Sequence, residues 1–161
     1  MTDVLTLCAS FPELQVRRGE TLIRERERTD RLYVLVQGKL AVLKGGVRLT
    51  EISEPGAFVG EISAVLESTP TADVLVTEDS TLRVIENASA TVRAQPELAI
   101  AIAQLLARRL SALTAYVVDI KRQYADSDTH LGVMDKVLSS LIAAHPGGED
   151  TGSERSDVPD Y

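Results

Sequence analysis

The sequence predicts an α+β fold: an antiparallel β jelly roll (double-stranded β-helix), flanked by a short N-terminal helix, a long C-terminal helix and one further helix. Two observations indicate this fold. Residues 14–85 contain about eight short runs rich in Val, Leu and Thr, separated by turn residues, as in all-β rolls. After Glu86 the apolar period changes from about 2 to about 3.6 residues, which is typical of helices.

The predicted organisation is a β roll over residues 1–95, a long helix over 96–125, a C-terminal helix over 126–145 and a tail over 146–161. The net charge of the 161 residues is −7, and the tail contributes four of the excess negative charges. Because the tail is rich in Gly, Pro, Ser and acidic residues and has almost nothing apolar to bury, we expect it to be disordered.

The N-terminal segment predicts a short helix over residues 3–10 that ends near Pro12, because Val4, Leu7 and Cys8 follow a helical spacing. A single cysteine excludes an intramolecular disulfide, and its apolar neighbours make Cys8 a predicted core residue. The N-terminus lacks the basic region of a signal peptide, and no uninterrupted apolar run approaches the roughly 20 residues that span a bilayer. We therefore expect a cytoplasmic protein without a membrane contact.

The strands of the roll are predicted from short apolar runs and the turn residues between them. Gln37-Gly38 and Asp79-Ser80 predict turns, and Lys44-Gly45-Gly46 predicts a hairpin. The strands expected on this basis cover residues 14–17, 21–25, 32–36, 40–43, 47–52, 73–76 and 81–85.

Residues 55–74, PGAFVGEISAVLESTPTADV, contain two glycines, Gly56 and Gly60. Gly60 directly precedes residues 61–66, which predict one or two helical turns. A glycine turn that leads into a helix leaves free N–H groups, which attract an anion. The alternative is that Gly56 and Gly60 are only corners of a β-rich core, with Glu61 favourably placed in a first helical turn.

The C-terminal part predicts helices. Asn87 is suited to cap a helix over 88–95, and Pro96 to begin one that extends to about Ala125. A heptad seam follows this long helix, formed by Leu106, Leu110, Leu113, Val117, Ile120 and Tyr124. We expect a parallel contact with the same helix of a second subunit; the alternative is that residues 130–144, also amphipathic, cover the seam within one chain.

Five segments in this order resemble a known family: RRGETLIRE (17–25), DRLYVLVQGKLAVL (30–43), PGAFVGEISAVL (55–66), TADVLV (71–76) and LLARRLSALT (105–114). Together they resemble the cyclic-nucleotide-binding domain of catabolite activators, kinase regulatory subunits and nucleotide-gated channels. The resemblance covers about residues 1–125. It implies a regulatory sensor that binds cyclic AMP or cyclic GMP, needs no cofactor, forms a homodimer through the long helix and acts on a protein partner.

The resemblance also implies a ligand site. In the family a Gly-Glu pair opens a short helix and an arginine follows about ten residues later; we call residues 60–72 the phosphate cassette. Glu61 would accept from the ribose 2′-hydroxyl, and the N–H groups of Ile62 and Ser63 would face the cyclic phosphate. The implied ligand residues are Gly60, Glu61, Ile62, Ser63, Thr71, Ala72 and, across the dimer on the long helix, Thr114.

The sequence departs from the family pattern at two positions. Pro70 stands where the family has its phosphate-binding arginine, and residues 49–82 contain no Lys or Arg. The loss of a charge-assisted hydrogen bond of about 1.5–3 kcal/mol predicts weak binding. Arg48 and Arg83, on neighbouring strands, are the predicted replacements. Arg26 stands where the family has a turn glycine, which we expect to affect a loop and not the site.

Other function classes fit the sequence less well. The negative charge argues against a nucleic-acid surface, and only 36 residues follow Ala125, so we expect no DNA-binding winged helix. Both histidines, His130 and His145, lie outside the roll, and no nucleophile–base pattern is present, so we expect neither a metal site nor an enzyme. The alternative to a sensor is a dimeric scaffold on the same fold that binds no nucleotide.

Overall fold

The architecture follows from a computed structural model that describes residues 3–124, 133 and 136–141. In these residues the elements are α1 (Val4–Leu7), β1 (Glu13–Val16), β2 (Thr21–Ile23), β3 (Arg31–Lys44), β4 (Val47–Ile52), β5 (Phe58–Val59), α2 (Glu61–Leu66), β6 (Asp73–Glu86), α3 (Ala88–Ala94) and α4 (Pro96–Gln123). The predicted order of helix, roll, inserted short helix and long helix is confirmed.

Two long strands, β3 and β6, form the centre of a six-stranded sheet. Each has 14 residues, and they pair antiparallel from Arg31 with Glu86 to Leu43 with Asp73. The short strands β1 and β2 pair with β6, whereas β4 and β5 pair with β3, and all of these pairs are antiparallel. The predicted class, an antiparallel β roll with helices, is confirmed.

Side chains of β3 alternate between two apolar cores, because successive strand residues point to opposite faces. Leu32 and Val34 pack with the helices, and Tyr33 and Leu35 pack inside the roll. The helical core comprises Cys8, Leu32, Val34, Phe58, Ala64, Ile85, Ala88, Val92, Leu98 and Ile102. The core inside the roll comprises Val16, Ile23, Tyr33, Leu35, Leu40, Val59, Val74, Val76 and Leu82. Burial of these side chains drives the folding of both layers.

The turns predicted at Gln37-Gly38 and Asp79-Ser80 are wrong, because β3 and β6 run through both sites without a break. Their pairing instead shifts register around Gln37 and Lys39. Gly38 has φ 109°, and a Cβ there would lie 2.1 Å from Ser80 Oγ. Gly38 thus marks an irregularity in the strand pairing, and each pair of predicted short strands merges into one.

The hairpin predicted at Lys44-Gly45-Gly46 is confirmed. Lys44 pairs with Val47 across a two-residue loop, in which Gly45 has φ 56° and Gly46 has φ 78°. Positive φ at both central residues is the requirement of the tight turns that match strand twist, and glycine meets it without steric cost.

Helix α3 begins where the sequence predicts, but Asn87 does not cap it through its side chain. Asn87 lies in the left-handed region at φ 49° and makes no cap hydrogen bond. Asp30, just before β3, accepts from the Ser89 N–H at 2.9 Å and from the Ser89 hydroxyl at 2.7 Å. A carboxylate distant in sequence therefore satisfies the free N–H group that the sequence assigned to Asn87.

Cys8 is fully buried in the helical core, which confirms its predicted structural role. Burial is the main reason that the pKa of its thiol rises to about 11, although the nearby Arg83 opposes the shift. The thiol is therefore protonated and unreactive in the folded chain at neutral pH.

The chain forms two units, residues 1–107 and residues 108–161. In the first, Leu98 and Ile102 of α4 are buried in the helical core. In the second, α4 continues to Gln123, and the predicted seam is exposed at Leu110 and Leu113. Residue 133 and residues 136–141 are helical, within the helix predicted for 126–145; the rest of that helix and the predicted disordered tail lie outside the described residues.

Helix α4 is long and apolar enough to cross a membrane by length and composition alone, although the sequence contains no uninterrupted apolar run of that length. Most of its apolar stretch is exposed in the single chain. Arg108 and Arg109 lie within this stretch, and each arginine at a bilayer centre costs about 2.5–3.5 kcal/mol on insertion scales. The two arginines therefore make this helix a poor fit to a bilayer centre.

Candidate functional site

Gly60 joins β5 to α2 in a conformation that only glycine adopts easily. Its φ is 88°, in the left-handed region, and it occupies the N-cap position of α2. A Cβ at this position would lie 3.1 Å from the Arg31 carbonyl oxygen and 3.1 Å from Ile23 Cδ1. The chain thus needs glycine here for both backbone conformation and close packing.

The two halves of the cassette converge through Ile23. This side chain lies against Gly60, and its backbone pairs with Val74 at the start of β6. Thr71 and Ala72 immediately precede β6. The structure therefore brings residues 60–63 and 71–72, which are separate in the sequence, to the same end of the roll.

The first residues of α2 differ in exposure. Glu61 is only 4% exposed and Ser63 only 9%, whereas Ile62 is 43% exposed. Thr71 is exposed and Ala72 is half-buried. A carboxylate is rarely so buried unless it is hydrogen-bonded, and Glu61 does have an interaction within the fold. Glu61 thus places a buried carboxylate at the start of α2.

The arginines predicted to replace the missing one have other partners. Arg83 donates to the Phe11 carbonyl oxygen at 3.0 Å and pairs with Glu13 at 3.0 Å. Arg48 pairs with Glu51 on the outer strand β4. The structure therefore does not direct either guanidinium to the cassette, and Pro70, where the family has arginine, is buried.

The loop between β2 and β3 contacts the cassette through its backbone. The Arg26 N–H donates to the Pro70 carbonyl oxygen at 2.8 Å, and the Glu25 N–H donates to Asp73 Oδ1 at 2.7 Å. No sequence signal pointed to these contacts, because residues 24–31 alternate between acidic and basic side chains and resemble a solvated surface.

Thr114 lies in the second unit of the chain, on α4. Its hydroxyl donates to the Leu110 carbonyl oxygen at 2.9 Å, which is a bond within its own helix. Its predicted role, a contact to the base across a dimer, stays a prediction.

Within the described residues, no group of three or more His, Cys, Asp or Glu side chains is arranged to hold a metal ion. The chemistry available around the cassette is thus that of a buried carboxylate, main-chain N–H groups and the side chains of the adjoining loop.

A comparison with known protein families identifies the fold. The sequence profile of the cyclic nucleotide-binding domain matches residues 13–95, which is just over half of the chain and includes the cassette. The chain belongs to the cyclic nucleotide-binding domain family. Membership confirms the resemblance on which the site was predicted, and it shows a regulatory ligand-binding fold.

Relatives of this domain support the assignment. The chain is 31% identical over 84 residues to the cGMP-dependent protein kinase egl-4 of Caenorhabditis briggsae, a match that covers 52% of this chain but only 11% of the kinase. The crystal structure of the N-terminal domain of a transcriptional regulator from Streptomyces coelicolor A3(2) is 26% identical, with a TM-score of 0.52 over 72% of this chain and 95% of that one.

The catabolite activator protein of Thermus thermophilus is similar in fold. It is 23% identical, with a TM-score of 0.59 over 89% of this chain and 84% of that one. The kinase is about nine times longer than the segment it has in common with this chain.

Proposed function

We propose that this protein is a cyclic-nucleotide sensor module that binds cyclic AMP or cyclic GMP in the phosphate cassette and transmits binding through its helices to a protein partner. The observation that carries the proposal is the buried carboxylate of Glu61, which directly follows a left-handed Gly60 inside the family match. Glu61 accepts from the ribose 2′-hydroxyl, and the N–H groups of Ile62 and Ser63 together with Thr71 and Ala72 receive the cyclic phosphate.

The packing of α2 supports a route for the signal. Ala64 of α2 shares the helical core with Val92 of α3 and with Leu98 and Ile102 of α4. Close-packed interiors do not deform smoothly, so a shift of α2 on binding repacks the same core and moves the two later helices. An exposed ion pair between Glu67 and Arg93, at 2.8 Å, also links α2 to α3, although such a pair contributes little energy.

The exposed seam of α4 supports a homodimer. Leu110 and Leu113 are 44% and 48% exposed in the single chain, and Tyr124 is 58% exposed. These side chains recur at heptad spacing, which suits a parallel helix pair. A second copy of the same helix would cover this stripe and would place Thr114 of each subunit near the partner's nucleotide.

A second function is favoured by one observation, the absence of Lys and Arg from residues 49–82. If no cation compensates for Pro70, the protein is a dimeric scaffold that uses the same fold without a ligand. The two functions differ in whether a carboxylate in the cassette matters for ligand affinity.

The test compares two variants that make the same chemical change in the same segment. Glu61→Gln removes the buried carboxylate, and Glu54→Gln removes an exposed one. Isothermal titration with cyclic AMP and cyclic GMP measures affinity, and thermal unfolding checks that both variants fold. Loss of a hydrogen bond to a charged group predicts roughly 10- to 100-fold weaker binding for Glu61→Gln and no change for Glu54→Gln.

Equal affinity of the wild type and Glu61→Gln would contradict the proposed role of Glu61. Absence of binding to the wild type, with an intact dimer, would support the scaffold function.

A further inference from the structure

The proposed ligand carries a negative phosphate, and the cassette lies in a strongly acidic segment. Residues 49–82 contain seven Asp and Glu residues and no Lys or Arg. An anion held there by main-chain N–H groups alone lacks the bidentate ion-pair bonds that a guanidinium adds. A cation from another part of the chain would supply them.

The loop between β2 and β3 is fixed to the cassette at the position that lacks the charge. Two adjacent hydrogen bonds join it there, from Arg26 N–H to Pro70 O at 2.8 Å and from Glu25 N–H to Asp73 Oδ1 at 2.7 Å. The backbone of Arg26 therefore lies against Pro70, the residue that directly precedes Thr71 in the sequence.

Arg26 occupies this place in an unfavourable backbone conformation. The Glu27 N–H donates to the Arg24 carbonyl oxygen at 3.2 Å, which closes a turn with Arg26 in its third position at φ 63°. Glycine or asparagine is the usual residue for that conformation. Left-handed residues other than glycine concentrate at functional sites. Because the turn would be more stable with glycine, the presence of arginine at position 26 indicates a role for its side chain.

The guanidinium of Arg26 is available for a ligand. Arg26 is exposed, and within residues 3–124 its side chain has no ion pair and no hydrogen bond. The neighbouring arginines are differently placed: Arg24 pairs with Glu27 at 3.7 Å and Arg31 pairs with Glu86 at 3.0 Å. Arg28 lies near Asp30, a carboxyl whose pKa is lowered mainly by the hydrogen bonds from Ser89 and further by the charge of Arg28.

We propose that Arg26 is the phosphate-binding cation of this protein, replacing from the β2–β3 loop the arginine that is missing at Pro70. The inference rests on the proposed function, because it assigns a residue to the same nucleotide site. The guanidinium of Arg26 would contact the phosphate group. Arg26 therefore contributes to the affinity for a cyclic nucleotide and not to the affinity for the nucleoside.

The experiment uses Arg26→Gly, which removes the charge and places in the turn the residue that best tolerates φ 63°. Folding is therefore preserved, and we expect an unfolding midpoint equal to or above that of the wild type. Arg28→Ala is the matched control, because it removes one positive charge from the same loop. Each protein is titrated with cyclic AMP, cyclic GMP, adenosine and guanosine at two salt concentrations.

We expect Arg26→Gly to weaken cyclic-nucleotide binding roughly 10- to 100-fold, to leave nucleoside binding unchanged and to reduce the salt dependence. Arg28→Ala should change each affinity less than threefold. Adding Pro70→Arg to Arg26→Gly should restore cyclic-nucleotide binding, because it returns a guanidinium to the same position.

Two results would overturn the inference while leaving the proposed function intact. One is wild-type cyclic-nucleotide affinity in Arg26→Gly, and the other is an equal loss for nucleotide and nucleoside. If the wild type binds nothing but the single variant Pro70→Arg does bind, the pocket is intact and Arg26 does not replace the missing arginine. If neither protein binds, the proposed function itself fails.

Discussion

Replacing Gly60 by alanine tests whether the junction between β5 and α2 requires glycine for space as well as for conformation. Its φ of 88° imposes on any other residue a left-handed backbone, which costs roughly 1–2 kcal/mol. The new Cβ would also lie 3.1 Å from both the Arg31 carbonyl oxygen and Ile23 Cδ1. Overpacking of this kind adds typically 1–3 kcal/mol, so the expected loss is about 2–5 kcal/mol.

Gly19 provides a matched control. It has φ 93°, and a Cβ there would meet nothing within 4 Å. Gly19→Ala therefore has the conformational cost alone, and the gain from reducing the freedom of the unfolded chain is the same in both variants. Urea unfolding should show Gly60→Ala to be less stable than Gly19→Ala by about 1–3 kcal/mol. Equal losses of stability would refute the conclusion that Gly60 is held against Arg31 and Ile23.

Three further predictions concern other parts of the chain. Asp30→Ala should lower the free energy of unfolding by about 1 kcal/mol at neutral pH, because it removes the cap on Ser89, whereas Asp30→Asn should retain most of the cap. The hydrogen bonds from Ser89 lower the pKa of Asp30. The stability that the cap contributes is therefore present above the unfolded pKa of about 3.9 and is lost as the pH falls through the lower folded pKa. Unfolding curves in which the wild type and Asp30→Ala differ as much at acid pH as at neutral pH would refute the cap. Cys8, with a pKa raised to about 11, should react with iodoacetamide only after denaturation, and modification of the native protein would contradict its burial. Leu113→Glu should convert a dimer to a monomer in sedimentation experiments while Ser111→Glu, on the opposite face of α4, leaves the dimer intact; a dimer that survives Leu113→Glu would exclude the seam as the interface.

Local patterns predicted most of the elements. The apolar spacing of residues 61–66 and 96–123 matches α2 and α4, and the hairpin at Gly45-Gly46 follows from the need for two positive φ values. These features depend on neighbours in the sequence, so a single chain reveals them.

The errors occur where a residue acts through a partner distant in sequence. Gly38 resembles a turn residue, but it lies within a paired strand, where Ser80 of the other strand leaves no room for a Cβ. Asn87 resembles a cap, but Asp30 provides it from across the fold. Nothing in the local sequence distinguishes these two residues from a glycine in a true turn or an asparagine that caps a helix.

In the candidate site, too, local features were predicted and contacts between distant residues were not. Gly60 and Glu61 were identified from the family pattern; Gly60 has the left-handed conformation that permits a close backbone approach, and the side chain of Glu61 is buried. The contact between Arg26 and Pro70 could not be predicted, because it joins two departures from the pattern that are 44 positions apart and meet only in the folded chain.

The most direct test of the account is a calorimetric titration of the purified wild-type protein with cyclic AMP and cyclic GMP, up to millimolar ligand. The account predicts saturable heats for at least one of the two nucleotides, with a dissociation constant in the micromolar range. Flat heats for both nucleotides at millimolar concentration would contradict it, and would show that the fold is retained here for its helical surfaces and not for its pocket.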